Sequence, residues 1–293
     1  MSESTDLANR DRVLSVIIPA FNEEATIQAV VEKASRLPFV LQVIVVDDGS
    51  TDSTPDILSR LDLPNVLFIR QPRNLGKTAA IKRALLEVQG DVTVFQDADL
   101  EYDPDEIQHV IRPIMENQAD VVYGSRFLVR RSSRVLYFYH YLANKTLTFL
   151  SNLFTNVNMT DIETCYKAFR SRLIKTMPLT SSGFGMEVEI TAMISKTHAR
   201  IYEVPISYHG RTYREGKKIQ FRDGLIALWY IFHYNTPFTG RSVSRRTYVR
   251  EANVFLDRLV LGAAEPSSYK ADHSNAHPSK VSAAVGPISR WDL

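Results

Sequence analysis

A chain of 293 residues with 44% hydrophobic and 23% charged residues is long enough for one large domain or two small ones with a real core. Its net charge of +2 gives no bulk argument for nucleic acid as a partner. The single cysteine, Cys165, excludes an intramolecular disulfide and suits a reducing compartment.

The N-terminus "MSESTDLANRDR" is polar and lacks the apolar core of a signal peptide. No uninterrupted apolar run reaches the roughly 18 residues a spanning helix needs, so no membrane span is expected. The Asn-x-Thr triplets at Asn144 and Asn158 are therefore read as chance matches without glycan. "VLSVIIPAF" (Val13–Phe21) is a compact β-branched run ending in Pro and reads as a buried strand. "NEEATIQAVVEKASRL" reads as a helix that Asn22 can cap. "LQVIVVDDGS" is a second buried strand, and "DSTPDILSRL" a helix with Ser53 or Thr54 as cap and Pro55 in its first turn. "NVLFIRQ" is a third strand and "NLGKTAAIKRALLEV" a loop into a third helix. "DVTVFQDAD" is a fourth strand, "DPDEIQHVIRPIMEN" a fourth helix capped by Asp103, and "ADVVYGSRF" a fifth strand.

Strands alternating with helices predict an α/β fold, a mostly parallel sheet with helices on both faces. Such sheets place ligands at the carboxyl ends of their strands. The polar signatures "PAFNEE", "DDGSTD", "NLGK", "DADLE" and "GSR" all fall at such ends, which points to one site along one edge. After about residue 130 the texture changes. "RVLYFYHYLANKTLTFLSNLF" (Arg134–Phe154) and "GLIALWYIFHYNTPF" (Gly224–Phe238) are aromatic-rich at helical spacing. Each is either an ordinary buried helix or one lying in a bilayer interface, where Trp and Tyr are favoured. Between them, "ARIYEVPISYHGRTYREGKKI" holds a short strand and a basic loop. The stretch from Gly262 onward is rich in Ser, Ala and Pro without periodicity and reads as a disordered tail.

Asp97 and Asp99 lie two apart after the fourth strand, so in extended chain they share a face, and Glu101 continues it. Two or three oxygen ligands on one side suit Mg²⁺ or Mn²⁺, which keeps waters and substrate phosphates as its other ligands. Zinc-type His/Cys spacing is absent. Asp47 and Asp48 end the second strand, where a carboxylate can accept from a ribose hydroxyl or a base N–H, or else cap the next helix. Gly49 lets the backbone turn close to a ligand. "RNLGKTAA" is not a Walker A sequence, but Gly76 permits close approach and Lys77 supplies a cation.

"SVIIPAFNEE", "VIVVDDGSTDST", "RNLGKTAAIKRAL", "FQDADLEYDP" and "VVYGSRF", in this order, resemble a family 2 glycosyltransferase with a GT-A fold. "TDIETCYKAFR", "GFGMEVEI", "EVPISYHGRTYREGKKI" and "RDGLIALW" narrow the resemblance to polyprenyl-phosphate (dolichyl-phosphate type) hexose synthases. The resemblance implies a nucleotide-sugar-binding half over 13–130 and an acceptor-binding half with interfacial helices over 131–240. A flexible 1–12 precedes them, and a C-terminal extension over 241–293, disordered from about 264, follows. It implies that Pro19, Ala20, Asn22 and Glu23 line the nucleotide end, with Asp48, Gly76 and Lys77 near base, ribose and phosphates. It also implies that Asp97 and Asp99, with Ala98 between them, hold the divalent metal on the donor diphosphate. Glu101, where many relatives carry Gln, joins or supports that metal. Arg126 matches a family arginine near the phosphates.

A phosphate monoester is ionised at neutral pH and needs no general base as nucleophile, only cationic positioning. Arg126, Arg134, Lys167, Arg211 and the Arg214/Lys217/Lys218 loop are the cations available for that, although the loop also reads as a plain solvated face. Asp161 and Glu187 match acidic family positions and are assigned to sugar hydroxyls or to orienting the basic residues. The expected reaction is inverting hexose transfer to polyprenyl phosphate from a nucleotide sugar, a UDP-sugar such as UDP-glucose being favoured and GDP-mannose left open. The expected place is the cytoplasmic face of the membrane, with the enzyme peripheral and a second copy of the chain or a membrane partner left open. Two other readings stand beside it: transfer to a soluble or polysaccharide hydroxyl, with Asp161 or Glu187 as base, and a non-catalytic nucleotide-sugar-binding protein. The intact Asp97/Asp99 pair argues against the last.

Overall fold

Apolar, β-branched runs bury on both faces only in the interior of a sheet, and two strongly apolar runs of the chain take adjacent interior positions. In a computed structural model, which describes residues 12–128, 137–183, 185–210, 221–235 and 242–261, β1 is Leu14–Ala20 and β2 is Val40–Asp47. β3 (Val66–Arg70), β4 (Val92–Phe95), β5 (Val121–Ser125), β6 (Lys167–Arg170) and β7 (Ile201–Pro205) complete one seven-stranded sheet of order β3-β2-β1-β4-β6-β5-β7. β6 runs antiparallel to both its neighbours, and the other pairs are parallel.

Register opens the site. β1 and β2 end flush, Ala20 opposite Asp47. The β1–β4 ladder stops lower, with Phe95 opposite Ile17. The segment after β4 therefore leaves the sheet beneath the ends of its neighbours, in the kind of crevice where open α/β sheets bind ligands. Phe95 and Phe169 are buried on adjacent strands, with ring centroids 5.4 Å apart.

The helices follow the expected order with shifted starts. α1 (Ile27–Ser35) buries Ile27, Val30, Val31 and Ala34, one face of a helix. It begins later than the expected cap at Asn22, because Asn22 adopts a left-handed φ of +52° and its side chain serves a neighbouring loop. α2 (Thr54–Arg60) carries Pro55 in its first turn and is preceded by Ser53. α3 is Lys77–Leu85. α4 (Ile107–Met115) follows a single 3₁₀ turn at Pro104–Glu106, where the Asp103 side chain accepts from Asp105 N as the expected cap. α5 (Phe138–Thr155) and α8 (Phe221–Asn235) are the aromatic-rich stretches.

Three helices and one strand had no sequence signal. α6 (Ser171–Lys175) is a single turn, and β6 has four residues, too few for a period. All ten residues of α7 (Gly185–Ile194) are buried, so it shows no amphipathic stripe. α9 (Val243–Val260) lies within what the sequence suggested as an extension. The chain divides into two units after Leu256, and the first holds the sheet and the site. Of the second, residues 257–261 are described, and they close the last helix. The N-terminal segment and the tail expected to be disordered lie outside the described residues. Among the described residues no helix is long and apolar enough to cross a membrane.

Candidate active site

Pro19 and Ala20 close β1 at the carboxyl edge, Ala20 buried and Pro19 half-buried. The next residues are tied to the loop after β2. Asn22 N donates to Ser50 Oγ at 2.9 Å, and Asn22 Oδ1 accepts from Thr51 N at 2.8 Å. Glu23 N donates to Thr54 Oγ1 at 2.9 Å, and Thr26 Oγ1 donates to the Ala98 carbonyl at 2.9 Å. Three strand exits are thus joined side chain to backbone before any ligand arrives.

Asp48 organises the fourth exit. Its buried carboxylate accepts from Gln71 Nε2 at 2.7 Å, from Leu75 N at 2.8 Å and from Gly76 N at 2.7 Å. A sequence reading that aims Asp48 at a ribose meets a side chain already holding the loop that delivers Lys77. Gly76 has φ +92°, which a side chain would disfavour. Gly49, at φ +73°, is held for a second reason: a Cβ there would lie 2.5 Å from the Arg73 carbonyl carbon.

Lys77 opens α3 and reaches two carboxylates, Asp97 at 2.9 Å and Glu187 at 3.3 Å. Burial alone would lower its ammonium, but the charges of Asp97 and Glu187 outweigh it and hold the group well above its ordinary value. Burial likewise works to raise Asp97, and Lys77 overrides it, so the carboxyl stays below the usual range and ionised. Asp99 is half-buried, with Oδ1 3.3 Å from Glu101 N. Glu101 turns toward β7: its Oε2 accepts from Tyr208 Oη at 2.6 Å, and its carbonyl accepts from His209 N at 2.9 Å. Among the described residues no three His, Cys, Asp or Glu side chains gather into a closed metal cage. The donor set fits an open site instead: two hard carboxylates two residues apart, one of them held ionised, suit a cation that keeps water and phosphate ligands.

Arg126 and Asp161 form the other half. Arg126 Nε and Nη2 each donate to Asp161 at 2.7 Å, and Arg126 N adds a third bond at 3.1 Å. Both side chains are almost wholly buried. The guanidinium also lies 5.2 Å from the Tyr208 ring centroid. Glu203 on β7 accepts from Thr160 N at 2.9 Å and Asp161 N at 3.2 Å, which fixes the turn carrying Asp161. Asp161 is thus engaged in orienting Arg126.

Lys167 on β6 is buried, donates to the Thr164 carbonyl and stands 5.1 Å from the Tyr123 ring centroid. Burial lowers its ammonium even with Glu187 and Glu163 nearby. Glu187, in the first turn of α7, shares Lys77 with Asp97. The structure therefore brings Lys77, Asp97, Lys167 and Glu187 into one cluster and Arg126 with Asp161 into a second. Arg134, Arg211, Arg214, Lys217 and Lys218 lie outside the described residues. Two neighbours of these clusters were missed. Tyr208 links Glu101 to Arg126, and a lone Tyr after a strand gave no signal. Glu163 sits inside the quoted "TDIETCYKAFR", yet its single acidic position was indistinguishable from a surface Glu.

Comparison with known proteins now decides the lineage. The family model described as "Glycosyl transferase family 2" matches residues 15–177. The chain belongs to glycosyltransferase family 2. The dolichol-phosphate mannosyltransferase of Pyrococcus furiosus is 30% identical over 70% of this chain and 58% of its own. The UDP-N-acetylglucosamine–dolichyl-phosphate N-acetylglucosaminyltransferase of Methanococcus voltae is 29% identical over 67% of this chain and 85% of its own. This family 2 chain spans little more than half the length of the first curated relatives it matches. Glucosyl-3-phosphoglycerate synthase of Mycobacterium tuberculosis, solved with Mn²⁺ and UDP-glucose, has the same GT-A fold. The TM-score is 0.60 at 18% identity, covering 79% of this chain and 82% of that one.

Proposed function

We propose that this family 2 glycosyltransferase moves a hexose from a nucleoside-diphosphate sugar to a polyprenyl phosphate at a membrane surface. The observation that carries the reading is the pairing of Lys77 with Asp97 beneath the sheet edge, next to the buried Arg126–Asp161 pair. Names given to relatives of the chain, which act on dolichyl phosphate, support the acceptor class. A UDP-sugar such as UDP-glucose is the favoured donor, with GDP-mannose left open.

In this reading an acceptor phosphate oxygen attacks the anomeric carbon. The bond from that carbon to the diphosphate oxygen breaks, and the nucleoside diphosphate leaves with the electron pair. One displacement inverts the centre, so an α-linked donor gives a β-linked product. Asp97 and Asp99 would hold Mg²⁺ or Mn²⁺, with Glu101 in support. The ion, when bound, offsets charge on the departing diphosphate. Lys77 supplies a second cation beside Asp97, and Arg126, aimed by Asp161, supplies a third on the acceptor side. Arg211 is assigned to the acceptor phosphate. Glu187, paired with Lys77, is assigned to the sugar hydroxyls.

The aromatic helices support approach to lipid. Trp229 on α8 is 57% exposed and Phe149 on α5 66%. Phe154 and Phe232 join the two helices with ring centroids 5.2 Å apart. Exposed rings of this kind are favoured at a bilayer interface, here the cytoplasmic face. The test is incubation with Mg²⁺ or Mn²⁺, a short polyprenyl phosphate and a panel of UDP- and GDP-sugars. A product of polyprenyl-phosphate hexose mass is expected. Transfer only to soluble or polysaccharide hydroxyls would overturn the acceptor assignment.

A further inference from the structure

Near the two cation–carboxylate pairs, and among the described residues, three buried oxygens have no hydrogen-bond partner: Glu163 Oε1, Thr164 Oγ1 and Glu187 Oε2. Thr164 is 0% and Glu187 4% exposed. Each buried, unsatisfied polar group costs about 1–3 kcal/mol, so adjacent orphans are rarely kept without a use. Glu163 interacts electrostatically with Glu187 and Lys167 of the first cluster and with Arg126 and Asp161 of the second. Glu187 in turn shares Lys77 with Asp97. Glu163 and Glu187 therefore connect the groups assigned to the donor diphosphate with those assigned to the acceptor, and Thr164 adjoins Glu163 in the chain.

We propose that Glu163, Thr164 and Glu187 form the subsite that takes the hydroxyls of the transferred hexose, and that Glu163 is its specificity-determining residue. This rests on the reading of the chain as a nucleotide-sugar glycosyltransferase. A sugar hydroxyl both donates and accepts, and Thr164 Oγ1 does the same. Burial, with the Glu187 carboxylate beside it, pushes Glu163 up to about 8. At neutral pH its carboxyl therefore carries a proton to donate and a carbonyl oxygen to accept. A site of this kind discriminates strongly, because a hexose with a hydroxyl on the wrong face leaves buried groups unpaired.

The test compares binding of nucleotide sugars with binding of the bare nucleoside diphosphates by calorimetry. It uses the full chain with Mg²⁺ and no acceptor, so acceptor identity plays no part. Glu163→Ala is expected to lose about tenfold of the affinity contributed by the preferred hexose and to flatten discrimination among hexose epimers. Affinity for the bare nucleoside diphosphate should stay within about twofold. Glu163→Gln, which keeps one donor group and one acceptor, should retain most of the hexose contribution. Thr164→Val should reduce it, and gives the same readout if Glu163→Ala does not fold. Equal loss of sugar and bare nucleotide binding, or unchanged epimer discrimination in both Glu163→Ala and Thr164→Val, overturns the subsite. A wild-type chain that binds neither nucleoside diphosphate nor nucleotide sugar overturns the glycosyltransferase reading, and the subsite with it.

Discussion

Asp48 gives the sharpest test of how the site is held. Its carboxylate, 3% exposed, accepts three N–H groups within 2.8 Å, two of them from the backbone of Leu75 and Gly76. A hydrogen bond to a charged group contributes about 1.5–3 kcal/mol net, and losing the acceptor strands the buried donors. The three do not add fully, because Gly76 N also reaches Asn74 Oδ1 at 3.1 Å. Asp48→Ala should therefore cost about 3–5 kcal/mol. Asp48→Asn, which keeps one acceptor oxygen but turns an amide NH₂ toward an N–H donor, should cost about half of that. Urea unfolding at constant slope reads the loss as a lower midpoint. Nucleotide affinity should fall in parallel, since the loosened loop carries Lys77 away from Asp97. An Asp48→Ala protein with an unchanged midpoint and weakened nucleotide binding alone would refute the loop-holding role and return Asp48 to the ligand.

Asp99→Ala should reduce transfer by at least about 100-fold while circular dichroism and thermal midpoint stay near wild type; near-normal turnover would remove Asp99 from the metal set. Glu163→Gln should stabilise the fold in a pH-dependent way. The folded-state carboxyl, at about 8, keeps a proton that the unfolded chain releases near its ordinary value of 4.5. Wild-type stability therefore declines as pH rises from about 4.5 to about 8, and the advantage of the Gln variant grows over that window to at most about 4–5 kcal/mol. A flat difference in midpoint between pH 5 and pH 8 would contradict the raised carboxyl. Gly49→Ala combines an unfavourable left-handed φ with a Cβ 2.5 Å from backbone at Arg73, and should lower stability by about 2–4 kcal/mol; a change below about 0.5 kcal/mol in urea unfolding would mean that the loop moves freely.

The sequence by itself determined the α/β class, the five strand exits and the Asp97/Asp99 pair. Strands buried on both faces must be short continuous apolar runs, and the polar residues that break them mark the ligand edge. It also carried the family, through motifs that need only their order along the chain. Tertiary structure alone decided β6, whose four residues hold no period and owe their place to pairing between β4 and β5. It decided which acids do which work. Asp161 meets Arg126 across 35 residues, Glu187 meets Lys77 only because α7 packs beside α3's start, and Asp48 spends its oxygens on a loop. Glu163 was legible as a letter and not as a site. Among the described residues its Oε1 has no partner, a state that depends on burial and on neighbours brought in by folding, and a buried carboxyl's charge is set by those surroundings and not by its position in the chain.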